Sequence, residues 1–336
     1  MRNFKIGIIG GSGYIGTYLS RSLCDQFNVR IIDVRTPKGV PENVEFIPCD
    51  ITKYEDLLKS VEDMDILIHT AIIQIPLIND KKRLSYEVNV IGTHNVCRVV
   101  DETPRIKGMI LAGSWHVIGE RGLKGTIDEE FGFRPDKVEN RARLYAISKI
   151  CQESITRFYS EMSEKVYGII RQGTVLGVGM PEKTAANIFI ENSLKGKPIT
   201  PFKHSMYRPM LYVDIDDVCR IFNIFCTKIL DGKMSTNTNS LDSIFNLYHP
   251  EPMTILELAE TVRDSIIKAT KGKIKPDVGI VDRGIPSAFD EKDKELIKID
   301  AHKVLEFMGI NSLISPKESI EHLIRYKLAK HLAQAK

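Results

Sequence analysis

A glycine-rich stretch near the start of the chain limits the possible folds more than any other feature. The residues IGIIGGSGYIG (6–16) place Gly10, Gly13 and Gly16 directly after a short apolar run and at the start of a helical pattern. The first glycine permits a tight turn, the second lets the backbone approach a pyrophosphate, and the third lets the helix pack closely on the strand. The stretch therefore predicts a strand, a phosphate-binding loop and a helix that together open a dinucleotide-binding sheet.

An acidic residue follows at the spacing that such a sheet requires. Asp33 ends the second predicted strand, 23 residues after Gly10. A carboxylate there can accept hydrogen bonds from both ribose hydroxyls and would repel a 2′-phosphate. No basic residue lies inside the glycine loop, which favours NAD over NADP, although Arg35 can soften that preference. We expect Arg35, Tyr14 and Ile15 to be further cofactor contacts.

Short apolar runs rich in β-branched residues alternate with helical patterns over the first half of the chain. Because the strands are apolar on both faces and are separated by helices, they predict an α/β fold with a Rossmann-type, doubly wound parallel sheet. The predicted strands are 4–10, 29–34, 65–71, 107–114 and 166–173, and the predicted helices are 14–26, 51–63, 83–102 and 142–162.

The pattern loosens after about residue 174, where proline and glycine interrupt it. We expect an NAD-binding domain at 1–174, with 206–230 returning to it, and a smaller C-terminal α/β substrate-binding domain at 175–205 and 231–336. Beyond residue 174 the predicted elements are a helix at 186–195, a strand at 243–250 and helices at 255–270, 302–310 and 316–334.

Composition narrows the class of partner and the location. The 47 basic and 44 acidic residues nearly cancel, and acids interleave the lysine-rich run 291–298, which argues against nucleic-acid binding. The six cysteines are scattered and the eight histidines lack metal-ligand spacing, so we expect free thiols and no metal. The N-terminus lacks the apolar core of a signal peptide, and the longest apolar stretch (66–78) is shorter than a membrane span. We expect a cytoplasmic protein with a small-molecule substrate and no membrane partner.

Two side chains suited to acid–base chemistry lie one helical turn apart in the segment LYAISK. The spacing of Tyr145 and Lys149 puts both on one face of the predicted helix. An ammonium nearby, with a positive nicotinamide ring, favours the phenolate, which can take a proton from a substrate hydroxyl as hydride leaves the same carbon. Such a pair is common on helix surfaces, but Ser114 ends a strand at the sheet edge where ligands bind in this kind of fold. These positions predict one catalytic site, in which Lys149 could also hold the nicotinamide ribose.

Several motifs in this order resemble the extended short-chain dehydrogenase/reductase family, in its NAD-dependent epimerase/dehydratase group. The glycine triplet, the Ser-x-x-Val-x-Gly run that begins at Ser114, and the Tyr-x-x-x-Lys run from Tyr145 to Lys149 are similar to its signatures. The resemblance implies that Ser114 polarises the reacting oxygen, that Tyr145 is the acid/base and that Lys149 supports both. In the similar segments PCDIT, IHTA and VNVIGTHN it also implies cofactor contacts by Asp50, Ile51, Thr70, Ala71 and Asn89.

The resemblance also suggests residues on the substrate side. RPMLYVDIDDV (208–218) is similar to the segment that carries a phosphate-binding arginine in nucleotide-sugar enzymes, so Arg208 is a candidate diphosphate ligand. A surface ion pair is the alternative for Arg208. Asn187 and Arg283 are further candidate substrate ligands.

Other positions depart from the epimerase pattern. Thr174 lies where sugar-nucleotide epimerases usually have asparagine, and Gln74 lies where some hexose epimerases have lysine. A serine, a histidine two residues later and a small hydroxyl residue at 174 are similar to uronate dehydrogenases. We expect Trp115 to be a pocket wall or a packing residue, whereas His116 either reaches substrate hydroxyls or a carboxylate, or is a satisfied loop histidine.

Three functions remain open on this reading. The leading hypothesis is an NAD-dependent nucleotide-sugar epimerase, in which hydride is removed to NAD and returned through a keto-sugar. The alternatives are an NAD-dependent dehydrogenase of a sugar, a sugar acid or another hydroxyl substrate, and a non-catalytic NAD-binding protein. By resemblance, the helices 83–102 and 142–162 imply a homodimer.

Overall fold

A computed structural model describes residues 4–234 and 239–334. The chain divides into two compact units. Unit 1 comprises Met1–Gly119, Glu129–Gln172 and Val218–Asn246, and unit 2 comprises Glu120–Asp128, Gly173–Asp217 and Leu247–Lys336.

Strands and helices alternate through the described residues. The strands are β1 (Lys5–Ile9), β2 (Asn28–Asp33), β3 (Glu45–Pro48), β4 (Ile66–His69), β5 (Gly108–Ser114), β6 (Gly125–Ile127), β7 (Val166–Gln172), β8 (Thr174–Leu176), β9 (Pro209–Met210), β10 (Tyr212–Asp214), β11 (Ile244–Leu247), β12 (Met253–Thr254) and β13 (Ile297–Ile299). The α-helices are α1 (Tyr14–Leu23), α2 (Tyr54–Val61), α3 (Leu77–Asp80), α4 (Lys82–Tyr86), α5 (Thr93–Glu102), α6 (Arg143–Met162), α7 (Ala185–Leu194), α8 (Ile215–Leu230), α9 (Ile255–Ala269), α10 (His302–Met308) and α11 (Pro316–Gln334).

Unit 1 is built on a seven-stranded parallel sheet. The strand order is β11-β7-β5-β4-β1-β2-β3, so the chain starts in the middle of the sheet, runs to one edge and then crosses to the other side of β1. The central strand β4 is buried along its whole length, as expected for a sheet with helices on both faces. The predicted Rossmann-type fold is confirmed.

Close contacts between helices and strands depend on glycine and on one buried ion pair. A Cβ at Gly168 of β7 would lie 2.2 Å from Phe225 of α8, so this glycine lets the aromatic ring pack against the strand. On α6, Glu153 accepts from Arg171 of β7, with 2.7 Å between Arg171 Nη2 and Glu153 Oε1. Both side chains are almost fully buried, and the pair fixes α6 against the strand that ends beside Ser114.

Two elements of unit 1 differ from the sequence-based expectation. The short edge strand β3 was not predicted, because its half-exposed residues EFIP show little alternation. The helix expected at 83–102 forms as one continuous helical run over Lys82–Glu102, but its middle segment, Glu87–Gly92, is π-helical and divides it into α4 and α5. A Cβ at Gly92 would lie 2.6 Å from the side chain of Ile51, so a close contact is made at the end of this segment.

Within its described residues, unit 2 contains three short strand pairs and the helices α7, α9, α10 and α11. β8 pairs with β10 in parallel, β12 with β9 antiparallel, and β13 with β6 in parallel. Helix α9 begins with a capping box, in which Thr254 and Glu257 each accept the other's backbone N–H. Helix α11 is tied to β10 by a 2.5 Å hydrogen bond from the Ser319 hydroxyl to Asp214.

Three further properties concern the chemistry available to the chain. The six cysteines are all free thiols. Within the described residues, no helix has the length and apolar character needed to cross a bilayer. In the same part of the chain, no group of three or more His, Cys, Asp or Glu side chains is arranged to hold a metal ion.

Candidate active site

The glycine loop has the shape that a dinucleotide requires. Gly10 has a φ of +78°, and a Cβ there would lie 2.5 Å from the backbone nitrogen of Ala71. A Cβ at Gly16 would lie 2.5 Å from the Cα of Gly11, so the start of α1 packs directly on the loop. At Gly13 an added Cβ would meet only the Gly10 carbonyl oxygen, at 3.3 Å. The backbone is therefore accessible at the position where a pyrophosphate would approach, in front of the N-terminus of α1.

Asp33 is fixed at the end of β2 beside this loop. Its side chain is buried and accepts the backbone N–H groups of Ser12 (3.1 Å) and Arg35 (3.0 Å), one on each carboxylate oxygen. Each oxygen keeps a second lone pair for a ribose hydroxyl. The exposed Arg35 side chain lies 3.6 Å from the same carboxylate, so Arg35 is paired with Asp33.

Asp50 and Ile51 lie after β3 and have different surroundings. Asp50 Oδ1 accepts both the backbone N–H and the hydroxyl of Thr52, at 3.0 and 2.8 Å, and it borders a cavity of about 400 Å³ whose lining includes Val34 and Lys53. Ile51 is buried. Asp50 therefore lies beside a space open to a ligand, whereas most of the Ile51 side chain is packed inside the protein.

The loop after β4 is held by Asn89. The buried Asn89 amide accepts from Ile73 N (2.7 Å) and donates to Ile73 O (3.1 Å) and to the hydroxyl of Ser148 on α6 (3.2 Å). Thr70 is bonded to β1, through its backbone N–H and its hydroxyl to Ile9 O. Asn89 thus connects the loop that contacts Gly10 to the helix that carries Tyr145.

Ser114, Tyr145 and Lys149 are brought together in unit 1. Ser114 is the last residue of β5 and is buried, and its hydroxyl lies near enough to the half-buried Tyr145 to lower the pKa of the phenol. Lys149 lies one turn further along α6, is 4% exposed, and donates to the backbone oxygen of Ala112 at 2.7 Å. The arrangement places a hydroxyl, a phenol and an amine at the carboxyl end of one central strand.

Burial dominates the proton affinities of these groups. It raises the pKa of Tyr145, which the hydrogen bond from Ser114 opposes, and it lowers the pKa of Lys149 to about 7. The phenolate expected from Lys149 together with the nicotinamide ring stays a prediction, and burial outweighs Lys149 in setting the pKa of Tyr145 in the protein alone. The physical reason is that the same burial that brings the two groups together removes water from both and leaves Lys149 only partly charged at neutral pH.

A buried polar group behind Lys149 was not predicted. Thr93 donates its hydroxyl to Asn89 O, so its oxygen accepts from both His69 Nε2 and Gln152 Nε2, each at 2.9 Å. His69 is therefore the Nε2–H tautomer, and burial, aided by the charge of Lys149, lowers its pKa to about 3. A neutral histidine beside Lys149 avoids a second positive charge in the core. The only sequence signal was the position of His69 at the end of a predicted strand.

The residues that follow Ser114 have separate roles. Trp115 is 1% exposed, and its ring centroid lies 4.6 Å from that of His116, so Trp115 packs beneath the histidine. His116 Nδ1 lies 3.3 Å from the Ser114 hydroxyl, and its ring meets that of Tyr145 edge-on with 5.4 Å between centroids. His116 thus contacts two of the three candidate catalytic residues. Gln74 is exposed on the loop that precedes α3.

The other candidate substrate residues belong to unit 2. Thr174 is half-buried in β8 and Asn187 is buried in α7. Arg208 is buried, with its Nη1 atom 3.6 Å from Oε2 of the buried Glu120, an acid that sequence reasoning missed. Arg283 is exposed and lies over the ring of Phe202 at 3.9 Å. Arg208 therefore forms a buried ion pair and not the surface pair considered as its alternative.

Comparison with known families decides the affiliation. The family model described as the NAD dependent epimerase/dehydratase family matches residues 6–239. The chain belongs to this family. Its cofactor is NAD, which the glycine loop and Asp33 fit.

Relatives of this epimerase/dehydratase family member include two proteins named as dehydrogenases. It is 29% identical to the bovine decarboxylating sterol-4-alpha-carboxylate 3-dehydrogenase over 195 residues, and these residues cover 56% of this chain and 51% of that enzyme. It is 26% identical over 204 residues to the D-erythronate dehydrogenase of Haemophilus influenzae, covering 57% and 61% of the two chains. The chain thus spans about half to three fifths of the length of these two relatives.

Solved structures match the fold over nearly the whole chain. MoeE5 in complex with UDP-glucuronic acid and NAD is similar with a TM-score of 0.76 at 16% identity, covering 97% of this chain and 99% of that one. The UDP-glucose 4-epimerase of Thermotoga maritima, solved with UDP-glucose, gives a TM-score of 0.75 at 20% identity, covering 98% and 100%. At these identities the similarity establishes the fold.

Proposed function

We propose that this protein removes hydrogen from a secondary hydroxyl of a sugar-like substrate, with Ser114, Tyr145 and Lys149 as the catalytic residues. The observation that carries the proposal is the position of Ser114 beside Tyr145 at the end of β5, with the Lys149 amine on the same strand end. A non-catalytic NAD-binding protein would have no need for these three groups in one place.

Each group has a part in the reaction. Bound NAD supplies the hydride acceptor and a positive ring. Tyr145 takes the hydroxyl proton in its phenolate form, and Ser114 donates a hydrogen bond to the substrate oxygen as it becomes a carbonyl. Lys149 in its protonated form stabilises the phenolate by charge and can donate to the nicotinamide ribose. Because burial alone raises the pKa of Tyr145, deprotonation depends on positive charge arriving with the cofactor.

As the specific reaction we propose nucleotide-sugar epimerisation, in which the hydride returns to the other face of the keto-sugar. The support is the extent of the fold: MoeE5 and the Thermotoga maritima epimerase, solved with UDP-sugars, are matched over almost their entire length, unit 2 included. Unit 2 also contains Arg208, Asn187 and Arg283, the residues proposed to contact the nucleotide sugar.

One observation favours a net dehydrogenase as the second candidate. The Arg208 guanidinium is buried against Glu120, so a charge proposed for a diphosphate already has a carboxylate partner inside the protein. His116, in contact with Ser114, would suit a substrate carboxylate or hydroxyl. Two relatives of this chain, the sterol-4-alpha-carboxylate 3-dehydrogenase and the D-erythronate dehydrogenase, agree with this alternative.

A ligand panel separates the two candidates. UDP- and GDP-hexoses, free uronates and free sugars are tested with NAD for thermal stabilisation, since a ligand that binds the native state raises the melting temperature. Stabilising compounds are then tested for turnover. Interconversion of sugar nucleotides without net NADH supports the epimerase, and steady NADH from a free sugar or sugar acid replaces it with the dehydrogenase. Protein that binds NAD but turns over neither class contradicts both.

We also propose that the protein is a homodimer through α4–α5 and α6 of unit 1. Exposed apolar side chains lie on both parts, among them Tyr86 (59% exposed), Ile147 (40%) and Phe158 (69%). A second copy would cover these side chains. Sedimentation should show a dimer that Phe158→Glu weakens, whereas a monomeric wild-type protein would contradict the proposal.

A further inference from the structure

One buried side chain beside Ser114 takes no part in the proposed catalytic steps. Gln172 is the last residue of β7, and its Cα is paired in register with that of Ser114 on the neighbouring strand. Paired residues of parallel strands project from the same face of the sheet, and the strands lie about 4.8 Å apart. Gln172 is therefore the lateral neighbour of Ser114 at the carboxyl edge of the sheet.

The amide of Gln172 is buried and unsatisfied. Its side chain is 3% exposed, and within the described part of the chain neither Oε1 nor Nε2 has a hydrogen-bond partner. The preceding residue is the opposite case, because the Arg171 guanidinium bonds to Glu153 and to the Glu129 carbonyl. A buried amide with a donor and an acceptor both unused is unfavourable unless a ligand or water pairs with it.

The chemistry of the missing partner follows from what Gln172 offers. A planar group with one N–H donor and one carbonyl acceptor side by side is complementary to a primary carboxamide, which offers the same pair in reverse. The nicotinamide of NAD carries such a carboxamide. Hydride transfer requires its ring to meet the substrate carbon whose oxygen contacts Ser114 and Tyr145, so the carboxamide must lie close to the strand ends that hold Ser114 and Gln172.

We infer that the side chain of Gln172 binds the nicotinamide carboxamide of NAD and so sets the orientation of the ring, an inference that rests on the proposed function of the site. The amide pair would exchange two hydrogen bonds and satisfy both orphaned atoms. Gln172 then contributes to affinity only through the carboxamide, and not through the ADP-ribose part of the cofactor.

The test compares three probes on the wild-type protein and on Gln172→Met, which preserves the side-chain volume and removes the amide. The probes are NAD, its 3-acetylpyridine analogue, in which a methyl group replaces the carboxamide nitrogen, and ADP-ribose, and dissociation constants are measured by calorimetry. We expect the wild type to prefer NAD over the analogue by about tenfold. In Gln172→Met the preference should fall to about twofold or less, with unchanged affinity for ADP-ribose.

A matched control is available on the next strand. Asn246 of β11 is 1% exposed, and its amide also has no partner within the described residues, but β11 lies two strands away from β5, which carries Ser114. Asn246→Leu should leave the preference for NAD over the analogue unchanged. Gln172→Glu lacks the N–H donor for the carbonyl oxygen that both probes carry but keeps the acceptor for the NH2 group of NAD, so it should keep the wild-type preference for NAD over the analogue.

Each outcome decides the inference. Equal binding of NAD and the analogue by the wild-type protein overturns it without any variant, which covers the case in which Gln172→Met does not fold. A preference that persists in Gln172→Met, or a variant that changes only the KM for substrate, overturns it while the catalytic proposal stands. If the wild-type protein binds neither NAD nor ADP-ribose, that result would instead contradict the proposed function.

Discussion

Replacing Lys149 with methionine should make the protein more stable near neutral pH, although it removes a proposed catalytic residue. Lys149 is 4% exposed, and burial lowers its pKa from 10.5 to about 7. The folded protein therefore holds an amine that would be fully protonated in the unfolded chain at pH 8. A methionine of similar volume can occupy the same space without that penalty.

The magnitude follows from the shift in pKa. The difference between a pKa of 10.5 and one of about 7 corresponds to roughly 4 to 5 kcal/mol, because a tenfold change in proton affinity is about 1.4 kcal/mol. Between pH 7 and 10.5 the unfolded chain holds one proton more at Lys149 than the folded protein, so the free energy of unfolding rises with pH. Above pH 10.5 Lys149 is neutral in both states and costs no stability, and the free energy of unfolding falls as the pH is lowered from 10.5 to 7. The variant loses the hydrogen bond to Ala112 O, worth about 1 kcal/mol, so its net advantage at pH 7 is roughly 3 kcal/mol.

The assay uses the only tryptophan in the chain. Trp115 is buried in the same unit as Lys149, so its fluorescence follows the unfolding of that unit in urea. The difference in unfolding free energy between Lys149→Met and the wild type should shrink by roughly 1 kcal/mol for each pH unit between 7 and 10. Lys82→Gln, at an exposed lysine of α4, should give a constant difference. A constant difference for Lys149→Met would show that burial does not lower the pKa of Lys149 in the folded protein.

Three other substitutions test separate parts of the site. Tyr145→Phe should lower kcat by at least about a hundredfold while the dissociation constant of NAD stays within about twofold, because only the proton acceptor is removed; an unchanged kcat would exclude Tyr145 as acid/base. Asp33→Ala should raise the affinity for NADP relative to NAD by about tenfold, measured by calorimetry, because the carboxylate that repels a 2′-phosphate is gone and Arg35 is released; an unchanged ratio would contradict that role. Arg171→Met should cost about 3 to 5 kcal/mol in urea denaturation by leaving Glu153 buried and unpaired, and adding Glu153→Met should recover part of it; a double variant that is less stable still would show that the ion pair is net stabilising.

The fold of unit 1 could be predicted because its strands carry a local signal. β1, β4, β5 and β7 are nearly continuous apolar runs, and α6 has clear helical spacing, so each is visible in its own residues. β3 carries no such signal because it is short, lies at the sheet edge and is half-exposed. The pairing of β6 with β13 joins segments about 170 residues apart, and no local pattern marks such a partner.

The candidate site was predictable in its residues but not in its energetics. The spacing of Tyr145 and Lys149 on one helix face required only the helical period, and Ser114 required only the end of a strand. The direction of the Tyr145 pKa depends on how deeply both groups are buried, which spacing does not reveal. The pairing of Arg208 with Glu120 likewise depends on a contact between residues 88 positions apart.

The proposed hydride transfer is tested most directly by rapid mixing of NAD-loaded protein with each compound that stabilises it, followed through the absorbance of reduced nicotinamide. We expect the band to rise with at least one sugar-like compound. It then decays if the enzyme is an epimerase or accumulates if it is a dehydrogenase, and Tyr145→Phe slows the rise at least about a hundredfold. Conversion of a bound compound with no reduction of NAD would contradict hydride transfer, and an equally fast rise in Tyr145→Phe would contradict the role of Tyr145 as acid/base.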